Sequence, residues 1–66
     1  MEKKEYEQLK TKFLNLFANV PFQLRQEIIA VDDDESLSWS VAYVEIKRDT
    51  KKAPIILGHL KKIGLI

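Results

Sequence analysis

The sequence predicts a small α+β domain in which an N-terminal amphipathic helix, a short β-hairpin and C-terminal helices share one core. Three observations support this. Apolar side chains recur at helical spacing near the N-terminus, an acidic run interrupts the middle of the chain, and residues 50–66 carry helix start and stop signals. At 66 residues the chain allows a single domain over residues 1–66. Its core is expected to be marginal, and an interface often completes such a core.

The first element is predicted to be a helix over residues 3–20. Its apolar positions follow steps of three and four residues, which is the period of one helix face. These positions are Tyr6, Leu9, Phe13, Leu14, Leu16, Phe17 and Val20. Pro21 disfavours helical backbone at the residue before it, so the helix is expected to end near Ala18 or Asn19.

Residues 21–35 are predicted to form the first strand and the turn of the hairpin. The β-branched run from Ile28 to Val31 favours a strand near residues 26–31, although Phe22 and Ile28 also fit a loose helical face. Acidic residues 32–35 follow directly, and short acidic side chains are common in turns. The alternative is that Asp32 and Glu35 form a capping box that opens a helix.

Residues 36–48 fit two structures. We favour a short strand at 36–38 that turns into a helix at 39–48, because Ser38 is a good N-cap and Trp39, Tyr43 and Ile46 share a helical face. The alternation of Leu37, Trp39 and Tyr43 with small residues also fits one long second strand of the hairpin. In either case Trp39 is expected to be the central core residue, because no other side chain buries as much area.

The last element is predicted to be a helix within residues 50–66. Thr50 is a suitable N-cap, Pro54 falls in the first turn, and Gly64 is suited to the left-handed position after the helix end. With that ending, Leu60 and Leu65 are the pair that meet in a Schellman motif. A glycine inside a helix is unfavourable, so Gly58 suggests a close backbone approach to the first helix.

The sequence carries no convincing catalytic, metal or cofactor site, and we expect no enzyme. The chain has no cysteine, which excludes disulfides and thiolate zinc sites, and His59 is its one histidine. The spacing from Asp34 to Glu45 resembles an EF-hand loop, but Trp39 stands where that loop requires glycine. We therefore interpret the acidic run as turn chemistry without a bound metal.

Charge is strongly ordered along the chain although its net value is only +1. Residues 1–25 carry five bases against three acids, residues 26–45 carry six acids and no base, and residues 46–66 carry six bases against one acid. A near-neutral protein has no general attraction for nucleic acid or anionic membranes. The polar start lacks the apolar segment of a signal peptide, so a cytoplasmic location and no membrane partner are expected.

These features favour a non-enzymatic protein-interaction module that self-associates as a homodimer or docks on another protein. The first helix and the C-terminus carry more apolar side chains than a small core needs. The candidate interface residues are Phe13, Phe17, Val20, Leu65 and Ile66. The alternative is a small nucleic-acid-binding protein whose phosphate contacts are Lys51, Lys52, Lys61 and Lys62.

Overall fold

Three helices and a two-stranded antiparallel hairpin make up the domain. The computed structural model describes residues 1–32 and 35–66, and residue 32 in its backbone alone. The elements are α1 (Lys3–Ala18), a 3₁₀ turn (Phe22–Leu24), β1 (Ile28–Asp32), β2 (Glu35–Ser38), α2 (Trp39–Lys47) and α3 (Ala53–Lys62). The predicted α+β class is therefore confirmed.

Helix α1 forms as its apolar spacing predicts. Leu9, Phe13 and Phe17 are buried at intervals of four residues, so one stripe of the helix faces the core. The helix ends at Ala18, and Asn19 is its C-cap, as expected from the proline two residues further on.

The hairpin is antiparallel and places Ala30 opposite Leu37 on the face that packs against the core. Glu35 lies in β2, so the alternative in which residues 32 and 35 open a helix is wrong. Strand β1 begins at Ile28, slightly later than predicted, because residues 22–24 form a 3₁₀ turn. The predicted turn at Asp33 and Asp34 lies outside the described residues, as does the Asp34 end of the EF-hand comparison.

Ser38 ends the second strand and begins α2. Its hydroxyl accepts a hydrogen bond from the backbone N–H of Val41 at 3.1 Å, which satisfies one of the free donors at the helix start. The prediction of a short strand that turns into a helix within residues 36–48 is confirmed. The alternative prediction of one long second strand is wrong. The backbone of Ser38 is extended, as an N-cap residue requires, and its side chain is 5% exposed. The start of α2 therefore lies inside the domain.

The two ends of α3 are formed by different means. Thr50 does not cap the helix, because its hydroxyl donates to Oε2 of Glu45 at 3.1 Å and also lies 3.4 Å from the carbonyl oxygen of that residue, and Lys52 is the N-cap residue. At the other end Gly64 has φ of +83°, and the N–H of Leu65 donates to the carbonyl oxygen of Leu60 at 2.9 Å. That geometry is the predicted Schellman motif.

The core lies where the three helices meet. Its largest fully buried side chains are Phe13, Ile46, Leu57 and Leu60. Trp39 is not at the centre: it is half-buried, packs against the core edge, and its ring centroid is 5.8 Å from that of Phe13. The indole stands at the first position of α2.

Candidate functional site

Two of the five candidate interface residues lie inside the domain. Phe13 is completely buried and Phe17 is 9% exposed. The ring of Phe17 stacks on Tyr43 with centroids 4.2 Å apart, and the guanidinium of Arg25 lies 4.5 Å from the Phe17 ring centre. Phe13 and Phe17 are therefore core residues in the folded chain, because α2 and α3 cover the stripe that we expected to face a partner.

The other three candidates lie at the surface or at its margin. Val20, Leu65 and Ile66 are half-buried, and the last two pack against the core. Ile66 borders a shallow depression of about 310 Å³ between the end of α1 and the C-terminus. Leu16, which is 41% exposed, lines the same depression. Of the candidate interface residues, Ile66 is therefore the one that lines this depression.

Most of the exposed apolar area lies elsewhere, on residues that the sequence did not single out as an interface. Ten large apolar side chains are exposed within the described residues. They are Met1, Leu16, Phe22, Leu24, Ile28, Val31, Val41, Val44, Ile55 and Ile63. For Val31, the alternation of side chains along a strand could have predicted its exposure. Val31 follows the inward-facing Ala30, so its side chain points to the opposite face.

A groove of about 350 Å³ separates β2 from α2 and α3. Val41 and Ile55 form its exposed apolar walls, and Leu37 is buried at its base. At its rim the Nζ atom of Lys52 lies 3.7 Å from Oε2 of Glu35, and both side chains are mostly exposed. A solvated ion pair of this kind adds little stability, so we do not expect it to hold the groove closed.

The four candidate nucleic-acid contacts do not form one free cationic surface. Lys52 is near Glu35, and Nζ of Lys61 donates to Oε2 of Glu5 at 2.7 Å. The hydrogen bond and charge of Lys61 lower the pKa of Glu5. Lys51 and Lys62 are exposed; Lys51 lies just before the ten-residue α3 and Lys62 is its last residue. Two of the four lysines are thus engaged with carboxylates.

A polar cluster joins the loop after α2 to α1. Tyr6 donates to Oδ1 of Asp49 at 2.5 Å, and Nζ of Lys10 donates to the same oxygen at 2.7 Å. Burial and the nearby carboxylate raise the pKa of Tyr6 to about 12, while Lys10 and Tyr6 lower the pKa of Asp49. The two hydrogen bonds tie Asp49, whose φ is +53°, to α1.

The described residues contain no group of three or more His, Cys, Asp or Glu side chains that could hold a metal ion. Within the same residues, no helix has the length and hydropathy needed to cross a bilayer. Comparisons of the chain with protein families, with curated proteins and with solved structures gave no match.

Proposed function

We propose that the chain is a non-enzymatic protein-interaction module that self-associates. The observation that carries the proposal is the amount of apolar surface left uncovered. Phe22 is 80% exposed, Ile55 60% and Val31 59% in a domain of only 66 residues. Single exposed apolar residues are ordinary, but ten large ones on so small a domain favour a covering partner.

The size of the domain is compatible with a dimer. The accessible surface of the described chain is 4689 Å². A standard interface covers about 800 Å² on each partner, roughly a sixth of this surface. Small domains have little core for their length, so covering this area by a second copy would add apolar burial that the isolated chain lacks. We place this association in the cytoplasm, where a chain without cysteine needs no oxidising compartment.

Sedimentation equilibrium or light scattering tests the proposal directly. Over about 10 μM to 1 mM, we expect the mass to rise from the 7.7 kDa of one chain toward twice that value. A mass that stays at one chain throughout this range contradicts self-association. The same measurement made with candidate proteins present would then test docking on another protein.

Nucleic-acid binding remains the alternative proposal. Lys51 and Lys62 are exposed, and the ion pairs of Lys52 and Lys61 are solvated and open to competition from phosphate. No contact in the described residues specifically favours this function. We rank it second because Glu5 and Glu35 hold negative charge next to the two paired lysines.

A further inference from the structure

The groove between β2, α2 and α3 has buried apolar side chains at its base and exposed ones on its walls. Leu37 and Ile56 at the base are 6% and 2% exposed, whereas Val41 and Ile55 on the walls are 49% and 60% exposed. Its volume of about 350 Å³ is within the range of small binding sites in proteins. An aliphatic group bound in this groove would remove the exposed apolar walls from water, which favours binding.

The carboxylate of Glu45 belongs to the lining of the same groove and has no counter-ion. The hydroxyl of Thr50 donates to Oε2 of Glu45 at 3.1 Å, which orients the carboxylate. Among the described residues, no lysine or arginine lies within ion-pair distance of Glu45, whose side chain is half-buried. A partly desolvated charge is costly unless an opposite charge or further hydrogen bonds compensate it. A cation bound in the groove would supply that compensation.

The charged residues of the lining are mainly acidic. Lys52 is the one base among the described residues that line the groove, and Glu35 and Glu45 are the two acids. Lys52 lies 3.7 Å from Glu35, and both side chains are mostly exposed, so another cation can compete for Glu35. The lining residues from β2 and α2 all lie within residues 26–45, which carry six acids and no base. Charge complementarity therefore favours a basic occupant.

We propose that this groove binds a segment of another protein in which a lysine or arginine stands next to an aliphatic side chain. The aliphatic side chain packs between Val41 and Ile55, and the cationic group bonds the Glu45 carboxylate. Val41 and Glu45 are four residues apart on α2, so their side chains share one face and are about 6 Å apart. Alternate residues of an extended segment are about 7 Å apart on one side, which matches this spacing. The inference goes beyond self-association, because it assigns the groove to a different protein.

Three synthetic peptides of alternating sequence test the chemistry of the occupant. Leucine alternates with lysine in the first, with glutamine in the second and with glutamate in the third, and all have blocked ends. Each is titrated into the isotope-labelled natural chain while the amide resonances are followed by NMR. We expect the lysine peptide to shift resonances of the residues that line the groove, with a Kd at least about tenfold lower than that of the glutamate peptide. This preference should decrease as salt is added.

Glu45→Gln is the test variant, because glutamine keeps the size of the side chain and an acceptor for the Thr50 hydroxyl but removes the charge. We expect it to raise the Kd of the lysine peptide about fivefold, as the loss of one partly exposed ion pair predicts, and to leave that of the glutamine peptide within about twofold. Glu7→Gln is the matched control, since Glu7 is exposed on α1 and does not line the groove. Circular dichroism melts check that both variants are folded.

Ile55→Ser tests the apolar part of the site. The Ile55 side chain is 60% exposed, so we expect the variant to remain folded and to weaken binding of the lysine and glutamine peptides alike. A variant that weakens both peptides, together with a charge-specific effect of Glu45→Gln, supports the proposed occupant.

The contrary outcomes are distinct. Equal affinities for the three peptides, or an effect of Glu7→Gln as large as that of Glu45→Gln, overturn the assigned chemistry. The absence of shifts at the groove with every peptide overturns the groove as a docking site. Weaker self-association of Ile55→Ser, without binding of the lysine peptide to the natural chain, assigns the groove to a second copy and overturns the proposal. A natural chain that remains one chain in mass contradicts self-association alone, because the peptide titrations do not depend on it.

Discussion

Exchanging the two glycines for alanine should change stability in opposite directions. Gly58 lies in the interior of α3 with ordinary helical backbone, whereas Gly64 follows the helix with φ of +83°. Glycine in a helix interior costs about 1 kcal/mol relative to alanine. A Cβ at Gly58 would meet the Cε atom of Met1 at 3.6 Å, which is ordinary contact with a flexible side chain. Within the described residues, the close backbone approach that we expected at Gly58 is therefore absent.

The expected gain for Gly58→Ala is about 0.5–1 kcal/mol in the free energy of unfolding. In a domain of this size that gain raises Tm by roughly 3–6 °C. Thermal unfolding followed by circular dichroism at 222 nm measures the shift. Urea titration gives the same quantity at 25 °C and shows from an unchanged m-value that the unfolded states are comparable.

Gly64→Ala is the matched control. A Cβ there would meet no atom of the described residues within 4 Å, so the left-handed backbone sets the cost. That cost is about 1–2 kcal/mol for a residue with a side chain. A lowered Tm for Gly58→Ala, or a raised one for Gly64→Ala, would refute the reasoning from local backbone conformation. Equal shifts of the same sign would indicate an effect on the unfolded chain instead.

Four further predictions follow from the packing, the caps and the charges. Trp39→Ala should cost about 3 kcal/mol, at the low end for tryptophan because the indole is only half-buried, and a loss under about 1 kcal/mol in urea unfolding would contradict its packing role. Ser38→Ala should cost about 1 kcal/mol through the lost cap, whereas Ser38→Gly, which adds no buried charge and which N-cap positions tolerate, should cost roughly a few tenths of a kcal/mol in the same assay. Asp49 has a pKa below its ordinary 3.8, so its bonds contribute stability above that pH and lose it as the pH falls; Asp49→Asn should flatten the acid limb of Tm against pH, and an unchanged limb would count against the cluster. If the nucleic-acid alternative holds, Lys51→Glu with Lys62→Glu should abolish duplex binding measured by anisotropy at about 50 mM salt, and the absence of binding by the natural chain would remove that alternative.

Local chemistry made the ends of the elements predictable. Ser38 has the side chain that an N-cap requires, and it caps α2. Gly64 stands one residue beyond the last helical turn and adopts the left-handed conformation. In both cases the determining groups lie within a few residues in sequence, so no knowledge of the tertiary structure was needed.

The failures share one cause, which is competition from residues that are distant in sequence or in another element. Thr50 has a capping side chain, but the preceding helix offers the carboxylate and the carbonyl oxygen of Glu45, and the Thr50 hydroxyl bonds there. Phe13 and Phe17 belong to a stripe that looked too wide for one neighbour. Two helices cover the stripe, and Tyr43 from one of them stacks on Phe17. A single-sequence pattern shows that a face is apolar but not how many elements pack on it.

The same limit applies to the outer face of the hairpin. Residues 28–31 indicate a strand because they are largely β-branched, and that signal does not say which side chains face the core. The register supplies this: Ala30 lies opposite Leu37 on the inner face, whereas Val31 lies opposite Ser36 on the outer face. Val31 is therefore 59% exposed and adds little to the core, although its residue type favours the strand that contains it.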